Sequence, residues 1–233
     1  MRRGLPLLAV VCVLLLAAVA AGYVPSISRV AWAIAKANRD AGRHRVLEVD
    51  LSVHLGAGTA AVGQGRLDSD PQARARMELR HQSGFVERHL RRSGGVSATR
   101  DGQELASPRP LLAPLWIFQA GSREDWLARV AELGVNTRRM ALGYDGNHDC
   151  YVIGDKASKA ALWVDQEALT AVRLDLDGVV YRFGPPAADD GLAFPSWLSV
   201  EGEDMEQVVF ELGAARAGSA GPDAFRSEWL TQP

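Results

Sequence analysis

Residues 71–95 read PQARARMELRHQSGFVERHLRRSGG, and the first half of this stretch decides how the chain folds. From Ala73 to Arg80 small and apolar side chains (Ala73, Ala75, Met77, Leu79) alternate with charged ones (Arg74, Arg76, Glu78, Arg80). Successive side chains of a strand point to opposite faces, so this pattern predicts a half-buried strand with a charged outer face and an apolar inner one. The six arginines of the stretch invite a nucleic-acid reading, but alternation makes those on this strand its solvated side, with a partner- or headgroup-facing surface as the alternative.

The same period recurs on both sides. Upstream, Leu47, Val49, Leu51, Val53 and Leu55 alternate with Glu48, Asp50, Ser52 and His54, a half-exposed antiparallel strand over 46–55. Glu48 and Asp50 are placed to pair with some of the arginines. Ser26 to Ala41 reads as a helix, with Ile27, Val30, Ala31 and Ile34 on one face and Gly42 at its end. Downstream, strands are predicted over 85–92 and 96–100, closed by the turn pair Asp101-Gly102. The charge-free segment Leu111, Leu112, Leu115, Trp116, Ile117, Phe118 then breaks the rhythm, hemmed in by Pro108, Pro110 and Pro114. A helix follows with Ser122 as N-cap, acids in its first turn and Gly134 at its end. Strands resume over 138–144, 150–153, 160–165, 171–177, 179–183, 197–201 and 205–212, and the tail after 212 reads as loop with Phe225 and Trp229 as pinning aromatics. Strands in consecutive blocks around a few helices predict a mainly β, α+β fold: one antiparallel sheet curled round a helical layer, in a single domain over 21–233.

The first 20 residues have a secretory layout: Arg2 and Arg3, an apolar run from Leu5, and an Ala18-Val19-Ala20 cleavage site. An uncleaved membrane anchor is the alternative, and the small residues at the end of the run favour cleavage. Losing Arg2 and Arg3 leaves 24 basic residues against 28 acidic, a formal charge of −4. Nucleic-acid affinity rests on clustered cations, so a mildly acidic exported chain argues against nucleic acid as a partner. Export also leaves Cys150 alone, so a hydrophobic core rather than a disulfide must carry stability.

The chemistry of catalysis is hard to find. Gly56-Ala57-Gly58-Thr59-Ala60-Ala61 matches a dinucleotide fingerprint in letters, but strand and turn residues follow where a helix is required. The histidines lack metal-ligand spacing, and His148-Asp149-Cys150 beside a turn falls short of a zinc site. No G-x-S-x-G occurs, and Ser219 sits in a glycine-rich segment. Asp189-Asp190 and Glu203-Asp204 read as solvated loop tips. The expectation is a protein that is not an enzyme and has no cofactor or metal.

In this order of elements the chain resembles the periplasmic lipoprotein carriers and their LolA-like relatives. The motifs are Gly63-Gln64-Gly65-Arg66-Leu67, Pro71 before an arginine-bearing strand, Asp101-Gly102, the apolar mid-chain helix, the hairpin LWVDQEALTAVRLDLDG over 162–178, and a closing Asp223-Ala224-Phe225. The resemblance implies an incomplete antiparallel β-barrel wrapped round a helical lid. It further implies an apolar cavity for lipoprotein acyl chains or other lipids, a periplasmic location, inner-membrane donor and outer-membrane acceptor proteins, and a monomer. An envelope interaction or sensor module on the same fold, with a packed interior, is the alternative. Strand parity then assigns the cavity to Leu47, Val49, Leu51, Val53, Met77, Leu79, Val172, Leu174, Leu176, Val179, Tyr181, Phe183, Val208, Phe210 and Leu212, and the lid to Leu111, Leu112, Leu115, Trp116 and Phe118. The same sets would equally pack on one another as an ordinary core. One position departs from the family pattern: Asp70 precedes Pro71 where the carriers place a lid-holding arginine, and an ionised carboxylate offers no donor.

Overall fold

Alternation over Val46–Leu55 produces β1, whose Leu47, Val49, Leu51 and Val53 are buried while Asp50 and Leu55 are exposed. The computed structural model describes residues 24–40, 46–92, 95–155, 160–189, 192–218 and 221–232. The expected signal peptide over 1–20 lies outside the described residues. Among the described residues no helix is long and apolar enough to cross a membrane.

Among the described residues two α-helices form: α1 (Ile27–Asp40) and α2 (Arg123–Glu132). On α1, Val30, Ala31, Ile34, Ala35 and Asn38 make the buried face. Ser122 caps α2, its hydroxyl accepting from the Asp125 amide (3.1 Å), and the left-handed Gly134 (φ +83°) follows its end.

After β1 come β2 (Ala61–Asp70), β3 (Arg74–His81), β4 (Val86–Arg92), β5 (Gly95–Arg100) and β6 (Gln103–Glu104). Beyond α2 lie β7 (Met140–Asp145), β8 (His148–Gly154), β9 (Ala160–Asp165), β10 (Ala171–Leu176) and β11 (Val179–Phe183). The chain continues with β12 (Pro186–Asp189), β13 (Leu192–Pro195), β14 (Trp197–Gly202) and β15 (Met205–Gly218). Among the described residues thirteen strands join one antiparallel sheet in the order β6-β5-β4-β3-β2-β1-β15-β14-β11-β10-β9-β8-β7, while β12 and β13 pair as a separate hairpin. The sheet leaves β6 and β7 as edges, so it curls without closing into a barrel.

Several expectations need adjustment. The tail is less loop-like than its composition implies, because β15 runs on to Gly218 opposite the whole of β1. The apolar mid-chain segment forms a single 3₁₀ turn, Leu115–Phe118, rather than an α-helix, since its prolines remove donors and bias their predecessors away from helical angles. Asp189 falls in the β12–β13 hairpin.

The outer face explains the arginines. Because β2 lies between β1 and β3, the β3 arginines do not reach Glu48 as expected, and pair with nearer acids. Arg74 meets Asp70 at 2.5 Å, Arg76 meets Asp68 at 2.5 Å, and Arg80 and Arg88 both reach Glu78 at 2.8 Å. Glu48 instead takes Arg66 and Arg216. The C-terminal 3₁₀ turns, Pro222–Phe225 and Ser227–Thr231, cover part of this face, where Phe225 and Leu230 pack on Leu90 and Arg76 donates to the Ala224 carbonyl (2.9 Å).

Candidate functional site

The concave face is built in rows that run across strands. One row is Val49–Leu67–Met77–His89–Ala98, and the next is Leu51–Gly65–Leu79–Glu87–Arg100. Each row is apolar or small from β1 to β3 and turns polar at β4. Gly65 has no alternative in its row, since a Cβ there would stand 2.0 Å from the Glu78 carbonyl oxygen.

Against the apolar part of this face lie Leu111, Leu112, Leu115, Trp116 and Phe118, all buried and in one continuous core with Leu47, Val49, Leu51, Val53, Met77, Leu79, Leu174, Tyr181, Phe183, Val208, Phe210 and Leu212. Phe118 meets Phe183 edge-on, ring centres 5.2 Å apart. Leu176 and Val179 pack at the margin of this core. Val172 does not share the face: it packs with Cys150, Val152, Ala161 and Trp163 in a second cluster. The register slips between Ala171 and Arg173, and this irregularity reverses the parity that alternation assigns to Val172.

Polar contacts bind the lid segment to its surroundings. Ser69 donates its hydroxyl to Oε1 of Gln119 (2.8 Å), and Nε2 of Gln119 returns a bond to the Ser69 carbonyl (3.0 Å). Asn38 of α1 donates to the Ala120 carbonyl (3.0 Å), Tyr181 to that of Pro110 (2.9 Å), and Arg129 of α2 to that of Trp116 (3.3 Å). Asp70 takes no part in this. Its carboxylate accepts from the Gln72 amide and from Arg74, which fixes the β2–β3 turn, so the neighbouring residue Ser69 holds the lid in this chain.

A cavity of about 430 Å³ opens where the end of β1 meets the start of β2, within the roughly 300–1,000 Å³ of small-molecule sites. Val53, Leu55, Val62, Leu79, Phe85, Leu111 and Val208 supply apolar walls, and His81, Gln82, Ser83, Arg100 and Arg109 the polar rim. Of the residues that parity assigned to a cavity, Val53, Leu79 and Val208 line this opening, and Leu111 comes from the lid. The other inward residues are packed.

Behind the rim sits Glu87, whose side chain has 0% exposure. Nε2 of His89 donates to its Oε1 (2.8 Å), Arg109 donates to its Oε2 (2.7 Å), and Arg100 stands 3.6 Å away. Burial alone would raise the Glu87 pKa, but the His89 and Arg109 hydrogen bonds outweigh it and hold the carboxyl at about 2. The carboxylate is therefore ionised at neutral pH, which requires His89 to donate from Nε2. His81 stacks on Phe85 (ring centres 3.9 Å apart), the Arg100 guanidinium lies 4.7 Å from the same ring, and burial lowers the His81 pKa. Sequence reasoning missed this cluster. Charges fall at both parities in Val86–Arg92, so alternation cannot show that Glu87 and His89 face inward, and Arg109 lies in an aperiodic proline-rich segment.

Other, larger concavities lie on the outer surface. One, of about 600 Å³, is lined by Asp50, Ser52, Gln64, Arg66, Glu78 and Arg80 among others. The other, of about 490 Å³, holds His148 bonded to Asp165 (2.6 Å) and Asp145 paired with Arg173 and Arg182. Neither has lid residues in its wall. Cys150 is buried, and burial with nearby carboxylates raises its thiol to about 11, which removes it as a nucleophile. Among the described residues no three His, Cys, Asp or Glu side chains are grouped to hold a metal.

No protein-family model matches the chain, and no curated protein matches it by sequence. Among solved structures, a LolA superfamily protein from Nitrosomonas europaea superposes with a TM-score of 0.53 at 12% identity, covering 89% of this chain and 100% of the other. A DUF1329 family protein from Desulfovibrio piger gives 0.49 at 12% identity, over 88% of this chain and 100% of the other. The unclosed antiparallel sheet, the helical layer inside it and this first superposition agree: the protein has the LolA-like fold.

Proposed function

We propose that the protein is a periplasmic carrier or binding protein for acyl chains, of lipoproteins or of other lipids, and that the chain enters between sheet and lid at the Val53–Leu111 opening. The observation that supports this most is the opening itself. It joins solvent to the face on which the apolar rows and the lid meet, and its walls are aliphatic below a polar rim. Burying methylenes stabilises by about 0.8 kcal/mol each, so a sixteen-carbon chain leaving water gains roughly 12 kcal/mol. Such a ligand needs shelter rather than a reactive group.

The packed interior supports a second reading, an interaction module on the same scaffold. Titrating the purified protein with palmitate separates the two. Saturable binding of one palmitate per chain supports the carrier, and an absence of binding at any soluble concentration supports the module.

A further inference from the structure

We propose that this pocket selects amphiphiles with a single anionic head, a carboxylate or a phosphate, received by Arg100 and Arg109; the inference rests on the acyl-binding reading and deepens it.

The charges at the opening do not balance. Arg100 and Arg109 both line it, yet Glu87 is the one carboxylate within ion-pair reach of either among the described residues, at 3.6 and 2.7 Å. One carboxylate neutralises one of the two guanidiniums. Glu87 is also wholly enclosed, while the arginine side chains keep 49% and 37% of their surface exposed. The acid anchors them from behind and their free faces are left to solvent and the pocket.

The polar atoms agree with the charge. Among the described residues Nε of Arg109 and Nε2 of His81 are buried and have no hydrogen-bond partner, an uncommon state in a folded protein that marks this rim as polar and incompletely satisfied. The rim is held in place before any ligand arrives. Arg100 lies over Phe85, Phe85 stacks on His81, and Arg109 is bonded to Glu87. Arginine presents paired donors that suit the two oxygens of a carboxylate or phosphate, and fixing those donors beforehand lowers the cost of binding. Directly below lie Val53, Leu79, Leu111 and Val208. Anionic head above aliphatic tail is the polarity of a fatty acid or an alkyl phosphate. A neutral head would leave the second guanidinium unanswered, and a cationic head would be repelled.

The test is displacement of Nile red from the full-length mature protein by four ligands with the same sixteen-carbon tail: palmitate, hexadecyl phosphate, hexadecanol and hexadecyltrimethylammonium. A charge-assisted hydrogen bond is worth about 1.5–3 kcal/mol, so the two anions should displace the probe at concentrations about tenfold or more below hexadecanol, with the cation weakest. Whichever anion binds tighter identifies the head as carboxylate or phosphate, and either result supports the inference. Arg100→Gln is the informative variant because it leaves the Arg109–Glu87 contact in place; it should shrink the palmitate-to-hexadecanol ratio to about threefold or less. Equal displacement by all four ligands, or an undiminished ratio in Arg100→Gln, overturns the head assignment and leaves the acyl pocket standing. Displacement by none of them overturns both.

Discussion

Glu87 on β4 and Arg109 at the entry to the lid are bonded at 2.7 Å, and this contact ties the curved sheet to the segment that covers it. It is made from a fully enclosed carboxylate that also receives His89. Removing the acid strands two polar partners in the interior. Breaking a buried pair by deleting one member costs about 3–5 kcal/mol, and the partial exposure of Arg109 places Glu87→Ala near the lower end, about 3 kcal/mol. Urea denaturation monitored by circular dichroism should show the midpoint fall by the corresponding amount; a loss below about 1 kcal/mol would mean that the contact does not anchor the lid.

The same carboxylate sets an acid limit. The Glu87 carboxyl titrates at about 2 in the fold, against 4.5 ordinarily, so the unfolded chain takes up its proton at higher pH than the folded one. Its contribution is complete above about pH 4.5 and is lost as pH falls from 4.5 toward 2, amounting to about 3 kcal/mol. His81 acts in the same direction from higher pH, because burial lowers its pKa below 6.5 and protonation favours the unfolded chain. Stability measured from pH 7 to pH 2.5 should fall steeply below pH 4.5 in the wild type and less steeply in Glu87→Ala.

Ser69 and Gln119 form the second tether, a reciprocal pair of bonds between β2 and the lid with both side chains buried. Gln119→Leu leaves the Ser69 hydroxyl and carbonyl without this partner, and an unmet buried polar group costs about 1–3 kcal/mol. Combining Gln119→Leu with Ser69→Ala should recover part of the loss, since the hydroxyl is then gone as well. Additive losses in the double mutant would show that the two residues are not coupled.

Val62 lines the opening and is only partly buried, so a larger side chain there narrows the entrance without entering the packed rows. Excluding two or three methylenes costs about 2 kcal/mol, more than tenfold in affinity. Val62→Trp should therefore bind palmitate at least about tenfold more weakly than wild type while its thermal midpoint stays within about 3 °C. Unchanged affinity would move the acyl chain elsewhere.

The sheet was legible because its strands obey simple periods. The alternations of 46–55 and 73–80 placed β1 and β3, Asp101-Gly102 and Asp177-Gly178 marked turns, and both turn aspartates are left-handed (φ +49° and +48°) as tight hairpins require. Ser122 and Gly134 bounded α2 for the reasons that cap helices generally. What escaped were features that periodicity does not encode. Val172 changed face through a local slip in register, and Arg74 and Arg76 of β3 found partners on β2 because pairing order depends on the whole sheet. Glu87 and His89 gave no signal, since a charged residue at an inward strand position looks in sequence like one at an outward position. Their role depends on Arg109, which arrives from a segment with no period at all.

Native mass spectrometry of the protein purified without detergent, paired with lipid extraction of the same sample, tests the acyl-binding account most directly. The account predicts a co-purifying species bound one per chain, which the extract identifies as an acyl lipid. An apoprotein that carries nothing and also refuses added palmitate would contradict it, and would leave the LolA-like fold serving as a packed scaffold.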